Sequence, residues 1–212
     1  MNKVLIIGKN SFIASKLFFS LPQGFIVDRI SHDSIDQIQL NNYQSIINCS
    51  LHPSLRTDTY DEQKDIDLNI IKNFNGHYIT FSSRKVYGSS DELVTYTEDY
   101  PLNPSDKYGE NKSIIESKIS EHTDNFLIFR ASNVFGFEFQ RNSIMGFFMN
   151  QLKNNNEILI NVSPFTKRDF ISIEDLCKLV SISVEKKITG VYNLSSNIGE
   201  LVGNVANYLI KG

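Results

Sequence analysis

Tyr108 and Lys112 stand four residues apart, a spacing that puts two side chains on one face of a helix. A phenol of ordinary pKa, about 10, is a poor base at neutral pH, but a neighbouring ammonium favours its phenolate. Such a pair can exchange a proton with a hydroxyl or a ketone. Tyr60 and Lys64 repeat the spacing, so spacing alone does not select a site. Context separates the two pairs. The β-prone run Tyr78-Ile79-Thr80-Phe81 ends in Ser82-Ser83 upstream of Tyr108, and nothing similar precedes Tyr60. Ser83 would hydrogen-bond the reacting oxygen and stabilise its developing charge. The bland alternative for Ser82-Ser83 is a polar loop after a strand.

Proton exchange with a carbinol or ketone needs a hydride partner, and the N-terminus offers a place for one. Val4-Leu5-Ile6-Ile7 runs into Gly8-Lys9-Asn10-Ser11-Phe12-Ile13-Ala14-Ser15 and then a helical pattern. A strand, a glycine turn and a helix start present backbone N–H groups and the positive end of a dipole to a dinucleotide pyrophosphate. Only the first glycine of that fingerprint is present, with Ser11 and Ala14 where glycine usually stands, and an ordinary strand-to-helix turn is the competing reading. Gly8, Asn10, Ser11, Phe12 and Ile13 are the candidate cofactor contacts. Asp28, about twenty residues on, follows the run Phe25-Ile26-Val27, where a carboxylate can accept from the adenosine ribose hydroxyls. Arg29 beside it could pair with a 2′-phosphate. The cofactor is therefore NAD or NADP, and a solvated Asp-Arg pair is the alternative.

These groups need a scaffold, and its elements are readable. Six short apolar runs (Val4 to Ile7, Phe25 to Val27, Ser45 to Asn48, Tyr78 to Phe81, Phe126 to Phe129 and Val191 to Leu194) alternate with helical patterns. The helices are expected at about Ser11 to Ser20, Asp61 to Phe74, Ser105 to His122 and Ser143 to Lys153, with a further helical stretch from Gly199 to Leu209. Nearly continuous apolar strands between helices imply a parallel sheet covered on both faces, an α/β fold of Rossmann-like, doubly wound type. The gap between Asp28 and Ser45 is too short for a helix plus another strand, so one early sheet element should be reduced or missing. The expected division is a dinucleotide-binding core over 1–136 and a reduced substrate lobe over 137–212 that returns one strand, about 190–194, to the sheet.

Composition narrows the partners. A net charge of −3 with interspersed signs gives no footprint for nucleic acid. No stretch approaches a membrane span, and the first residues lack a signal-peptide core, so a cytoplasmic protein is expected. Cys49 and Cys177 read as buried free thiols, and the four histidines show no metal-ligand spacing, so no metal site is expected.

Taken together, Gly8, Ser82-Ser83 to Val86-Tyr87-Gly88, Tyr96 to Lys112, Arg130-Ala131-Ser132-Asn133-Val134-Phe135-Gly136 and Arg168-Asp169-Phe170-Ile171-Ser172-Ile173-Glu174-Asp175-Leu176 resemble, in order, the extended short-chain dehydrogenase/reductase family. The resemblance is to its nucleotide-sugar epimerase/dehydratase branch. It implies catalytic roles for Ser83, Tyr108 and Lys112, with Lys112 also holding the cofactor ribose. It implies substrate contacts for Ser83, for Asn133 beside the nicotinamide, and for Arg168 at the nucleotide diphosphate. Asn69 resembles the family's asparagine on the preceding helix, a buried structural role being the alternative. Keto-sugar reduction on a nucleotide-linked deoxysugar is the expected reaction. A 4-epimerase with retained NAD and a non-catalytic dinucleotide-binding regulatory subunit are the alternatives. Dehydratase chemistry is disfavoured, because Arg84-Lys85 stands where dehydratases carry an acid pair. Family members pair through long helices, so a homodimer is expected, and polysaccharide biosynthesis is the family-level setting.

Overall fold

The computed structural model describes residues 2–88, 94–137 and 143–211. In chain order the larger elements are β1 (Asn2–Ile7), α1 (Phe12–Leu17), β2 (Phe25–Ile30), β3 (Ser45–Asn48), α2 (Ile66–Ile71), β4 (His77–Ser83), α3 (Lys107–His122), β5 (Phe126–Ala131), β6 (Asn133–Phe135), α4 (Ile144–Asn155), β7 (Lys167–Ser172), α5 (Ile173–Lys186), β8 (Gly190–Leu194), β9 (Gly199–Leu201) and α6 (Val202–Lys211). They form two compact units, Met1–Ala131 with Cys177–Asn193, and Ser132–Leu176 with Leu194–Gly212.

The larger unit is built on a six-stranded sheet of order β2-β1-β3-β4-β5-β8, parallel from β2 to β5. Val4 to Ile7 and Ile46 to Ile47 are fully buried, as strands covered on both faces must be. One face packs Leu5, Ile7 and Ile46 against Ile70 of α2 and Ile115 and Ile119 of α3. All six expected strands are present. Between β2 and β3 the chain makes only short 3-10 turns at His32–Gln37 and Leu40–Asn42, which leaves β2 at the edge of the sheet.

The helix expected over Asp61 to Phe74 shrinks to a 3-10 turn, Glu62–Lys64, and the six residues of α2. Asp65 ends the turn and caps α2, accepting from the Leu68 N–H at 3.0 Å, so the chain restarts where one helix was expected. α3 keeps its full length. Asp106 caps it by accepting from the Gly109 N–H at 2.8 Å, and Gly109, Lys112, Ile115, Glu116 and Ile119 form its buried stripe.

Gly88 ends the 3-10 turn Arg84–Tyr87 at φ +83° and ψ −155°, a region essentially reserved for glycine. A Cβ there would lie 2.1 Å from the Asn103 carbonyl oxygen. Gly88→Ala should therefore destabilise the protein by about 3 kcal/mol, combining backbone strain with a backbone clash. Chemical denaturation checks this, and a loss below about 1 kcal/mol would contradict the geometry.

The smaller unit carries a three-stranded sheet, β6-β7-β9, parallel between β6 and β7 and antiparallel between β7 and β9. Phe148 of α4 packs with Val202 and Ala206 of α6 as its core. The stretch expected to be helical from Gly199 to Leu209 is divided: its first three residues pair with Lys167 to Asp169, and the helix begins at Val202.

Candidate active site

In a parallel sheet the strand ends that follow the chain direction share one edge. Ile7, Ile30 and Asn48 are in register, so the segments after β1, β2 and β3 leave from the same level. β1 lies between β2 and β3, the point where the connections diverge and a crevice forms. Gly8 turns the chain there at φ +99°, and a Cβ would come within 3.0 Å of the Cys49 carbonyl carbon and 3.1 Å of the Ser50 nitrogen. Both the turn and the close approach require glycine.

Ser11 caps α1, its Oγ accepting from the Ala14 N–H at 3.0 Å. Its hydroxyl is thus committed to the turn that the missing glycine would otherwise shape. Burial pushes the Cys49 thiol up, and both cysteines are free thiols, Cys177 buried and Cys49 half-buried.

Asp28 lies within β2, opposite Leu5, where the sequence reading placed it just after the strand. Tyr43 donates to one of its carboxylate oxygens at 2.7 Å. Burial, and then Asp28 itself, push the Tyr43 phenol up to about 12. Arg29 leaves the opposite face of the strand, and its guanidinium sits 4.8 Å from the centre of the Phe18 ring. These residues fit a dinucleotide: a glycine turn at the crevice, and a half-buried carboxylate on the neighbouring strand that keeps a second oxygen for ribose.

Ser83 ends β4 and caps the following 3-10 turn, its Oγ accepting from the Lys85 N–H at 3.3 Å. That turn is fixed to the start of α3. Lys85 donates to Asp106 at 2.5 Å, and a Cβ on Gly109 would lie 2.6 Å from the Lys85 carbonyl oxygen. Burial raises the Asp106 carboxyl, but the Lys85 ammonium and the Gly109 N–H outweigh it and hold the group below the ordinary carboxylate range. Tyr108, half-buried, has the Lys85 ammonium 5.7 Å and the Arg56 guanidinium 6.0 Å from its ring centre. One turn on, Lys112 is 4% exposed and donates to the Phe81 carbonyl at 2.7 Å, which ties α3 to the β4 end bearing Ser83. The structure thus brings the Ser83 turn, Tyr108 and Lys112 together through backbone contacts at both ends of the Tyr-Lys pair.

Several contributors carry no obvious sequence signal. Buried Asn111 donates to the carbonyls of Leu55 and Asp58, both at 2.9 Å, pinning the turn after β3 to α3. Asp67 accepts from Tyr78 and Thr80 at 2.6 Å and from Asn48 at 3.0 Å, all through one oxygen. Asp65 is held above the ordinary carboxylate range by burial and then by Asp67, against the pull of the Lys112 ammonium. Glu116 was findable, since it stands four residues beyond Lys112 on the same helix face. Its carboxylate pairs with Arg130 at 2.8 Å, deep in the unit.

Asn69 is exposed, which removes the buried role considered for it. It lines a cavity of about 300 Å³ with Ile35, Asp36, Ile38, Leu40 and Asn73. Asn133 and Arg168 belong to the smaller unit. Asn133 starts β6 and donates to the Asp169 carbonyl at 2.7 Å; Arg168 lies on β7 opposite Glu200, its Nε buried without a partner. No group of metal ligands occurs among the described residues, and no helix there is long and apolar enough to cross a membrane.

Residues 35–199 match the family described as "NAD dependent epimerase/dehydratase family". Comparison with curated protein sequences gives no match. Among solved structures, a dTDP-4-dehydrorhamnose reductase from Clostridium acetobutylicum superposes with a TM-score of 0.79 at 19% identity, over 99% of this chain and 79% of that one. UDP-glucose 4-epimerase from Thermus thermophilus, solved with NAD, gives 0.81 at 15% identity, over 99% and 82%. A dTDP-glucose 4,6-dehydratase from Bacillus anthracis, also solved with NAD, gives 0.78 at 16% identity, over 100% and 80%. At these identities the likeness establishes the fold.

Proposed function

The chain belongs to the NAD dependent epimerase/dehydratase family, and from that premise we propose that it is an NAD(P)-dependent oxidoreductase acting on nucleotide-linked sugars, reducing a keto-sugar such as a 4-keto-6-deoxysugar. One observation carries this reading: Tyr108 and Lys112 stand one turn apart on a helix whose first turn is locked against the turn after Ser83. NAD(P), when bound, supplies the hydride. Tyr108 delivers the proton to the sugar oxygen, and Ser83 hydrogen-bonds that oxygen as its charge develops. Lys112 places a fixed positive charge beside Tyr108 and holds the cofactor ribose.

The turn Gly8 to Ile13 would cradle the pyrophosphate, and Asp28 would accept from the adenosine ribose. Arg29 is engaged by Phe18 on the other face of β2, which favours NAD over NADP. Asn133 and Arg168 are the proposed substrate contacts of the smaller unit. Reduction is preferred over dehydration because Lys85, in the position of the dehydratase acid pair, is already ion-paired with Asp106.

The test is a titration with NADH and NADPH followed by nicotinamide fluorescence, alone and with nucleotide-linked 4-keto-6-deoxysugars. Micromolar binding and substrate-dependent loss of reduced cofactor are expected. Sugar interconversion without net cofactor consumption would establish the 4-epimerase instead. Binding without any turnover would establish a regulatory subunit, and no binding of either dinucleotide would sink the cofactor reading.

A further inference from the structure

His77 begins β4 with 2% of its surface exposed, at the end of the strand opposite to Ser83. Its ring meets the connection between α5 and β8, where Nε2 lies 2.8 Å from the Ile188 carbonyl oxygen. A carbonyl only accepts, so Nε2 carries the proton and Nδ1 is the bare nitrogen. Nδ1 is buried and without a partner among the described residues. The neutral ring suits this site and the imidazolium does not, because a second N–H would meet no acceptor there.

The same connection brings a charge. Lys187, at φ +52°, reaches the base of β3 and donates to the Ser45 hydroxyl at 2.7 Å, and Ser45 is in register with His77 on the neighbouring strand. Among the described residues Lys187 is the charged group that acts on the ring. The other elements packed there present uncharged groups: Ser45 from β3, the Gln44 carbonyl before β3, and the Asn125 carbonyl before β5. Burial pushes the imidazole below its ordinary value of 6.5; the Ile188 carbonyl opposes this and the Lys187 ammonium reinforces it.

We propose that His77 is an acid-released clasp: its neutral ring holds the α5–β8 connection to the base of the sheet, and protonation frees that connection. A proton on Nδ1 creates a buried charge beside a second cation, and separation of Lys187 and Ile188 from the sheet relieves it. β8 starts two residues beyond Ile188, and its Asn193 accepts from Tyr87, which ends the turn capped by Ser83. Release therefore slackens the strand to which that turn is bonded. The clasp lies at the far end of the sheet from the proposed site, so its test stands apart from the nucleotide-sugar reading.

Because the folded ring titrates below the unfolded one, its contribution to stability is complete above about pH 6.5 and is lost as pH falls through the folded value. Urea denaturation of wild type and His77→Gln at pH 7.5 and 5.5 reads this out. Glutamine keeps an N–H for the Ile188 carbonyl and takes up no proton. Over that range the wild-type unfolding constant should rise by up to about tenfold more than that of the variant, the linkage of one proton. Lys187→Gln should shrink this excess without removing it. In hydrogen exchange the Ile188 amide, bonded to the Ser183 carbonyl at 3.1 Å, should lose protection at the lower pH in wild type and keep it in His77→Gln. An excess below about twofold, or Ile188 protection that is the same at both pH values in wild type, would overturn the proposal. Should His77→Gln not fold, an NMR titration of the His77 ring in wild type decides the matter. A midpoint at or above 6.5 overturns the clasp, and one below it accompanied by loss of Ile188 protection upholds it.

Discussion

Replacing Tyr108 with phenylalanine is expected to lower kcat by about 10²- to 10⁴-fold, the range supplied by a positioned general acid or base. The substitution removes one hydroxyl and keeps the ring. A phenyl face still attracts the nearby cations Arg56 and Lys85, and the helix cap at Asp106 is untouched. Thermal stability and NAD affinity should therefore stay near wild type, so the loss falls on the chemical step and KM moves little. Steady-state kinetics with a turning-over sugar nucleotide, alongside a cofactor titration, make the measurement. Retention of full activity in Tyr108→Phe would end the catalytic assignment and favour a dinucleotide sensor. Loss of activity with an equal loss of folded protein would show instead that the hydroxyl supports the structure.

Much of this scaffold is legible because its information is local. Val4 to Ile7 and Ser45 to Asn48 are buried on both faces, so each strand appears as an uninterrupted run. Tyr108 and Lys112 share one helix, and four residues of spacing suffice to pair them. The elements without a local signal depend on partners distant in sequence. β6 and β9 have three residues each and exist through pairing with β7, which no apolar run announces. α2 was expected to be longer because the apolar pattern from Asp61 to Phe74 continues across Asp65, whose capping role overrides it. Arg56 meets Tyr108 across some fifty residues, beside the Asn111 bonds to the Leu55 and Asp58 carbonyls, which are themselves tertiary contacts.

The buried polar groups behind the site follow the same logic. Asp67 gathers donors from β3 and β4 on a single oxygen, leaving the other without a partner, while Lys112 lies almost wholly inside the unit. Charged and polar groups are retained in an interior only when hydrogen-bonded or paired. Here they fasten α2 and α3 to the strand ends from which the site is built. These polar ties supplement the aliphatic packing of Leu5, Ile7 and Ile46 against α2 and α3.

The firmest of these fastenings is the ion pair between Arg130 of β5 and Glu116 of α3, each side chain 7% exposed. Arg130 donates from Nε and Nη2 to the Oε2 of Glu116, with Nε also reaching Oε1 at 3.3 Å, and its Nη1 serves the Tyr87 hydroxyl at 2.9 Å and the Glu98 carbonyl at 2.8 Å. Tyr87 in turn donates to Asn193 and stacks on Tyr96, so one guanidinium ties Tyr87, Tyr96 and Glu98 to the end of β5. Arg130→Leu would leave Glu116 buried without a counter-charge and should cost about 3–5 kcal/mol. At about 2–4 °C per kcal/mol for a chain of this size, Tm should fall by roughly 6–20 °C. Removing both charges, as Arg130→Leu with Glu116→Leu, should recover a large part of that loss, because no orphaned charge remains. A double variant less stable than the sum of the singles would contradict this account. So would a single variant within 1 kcal/mol of wild type, which would mean that water reaches the pair and that α3, with Tyr108 and Lys112, is held to the sheet by its apolar stripe alone.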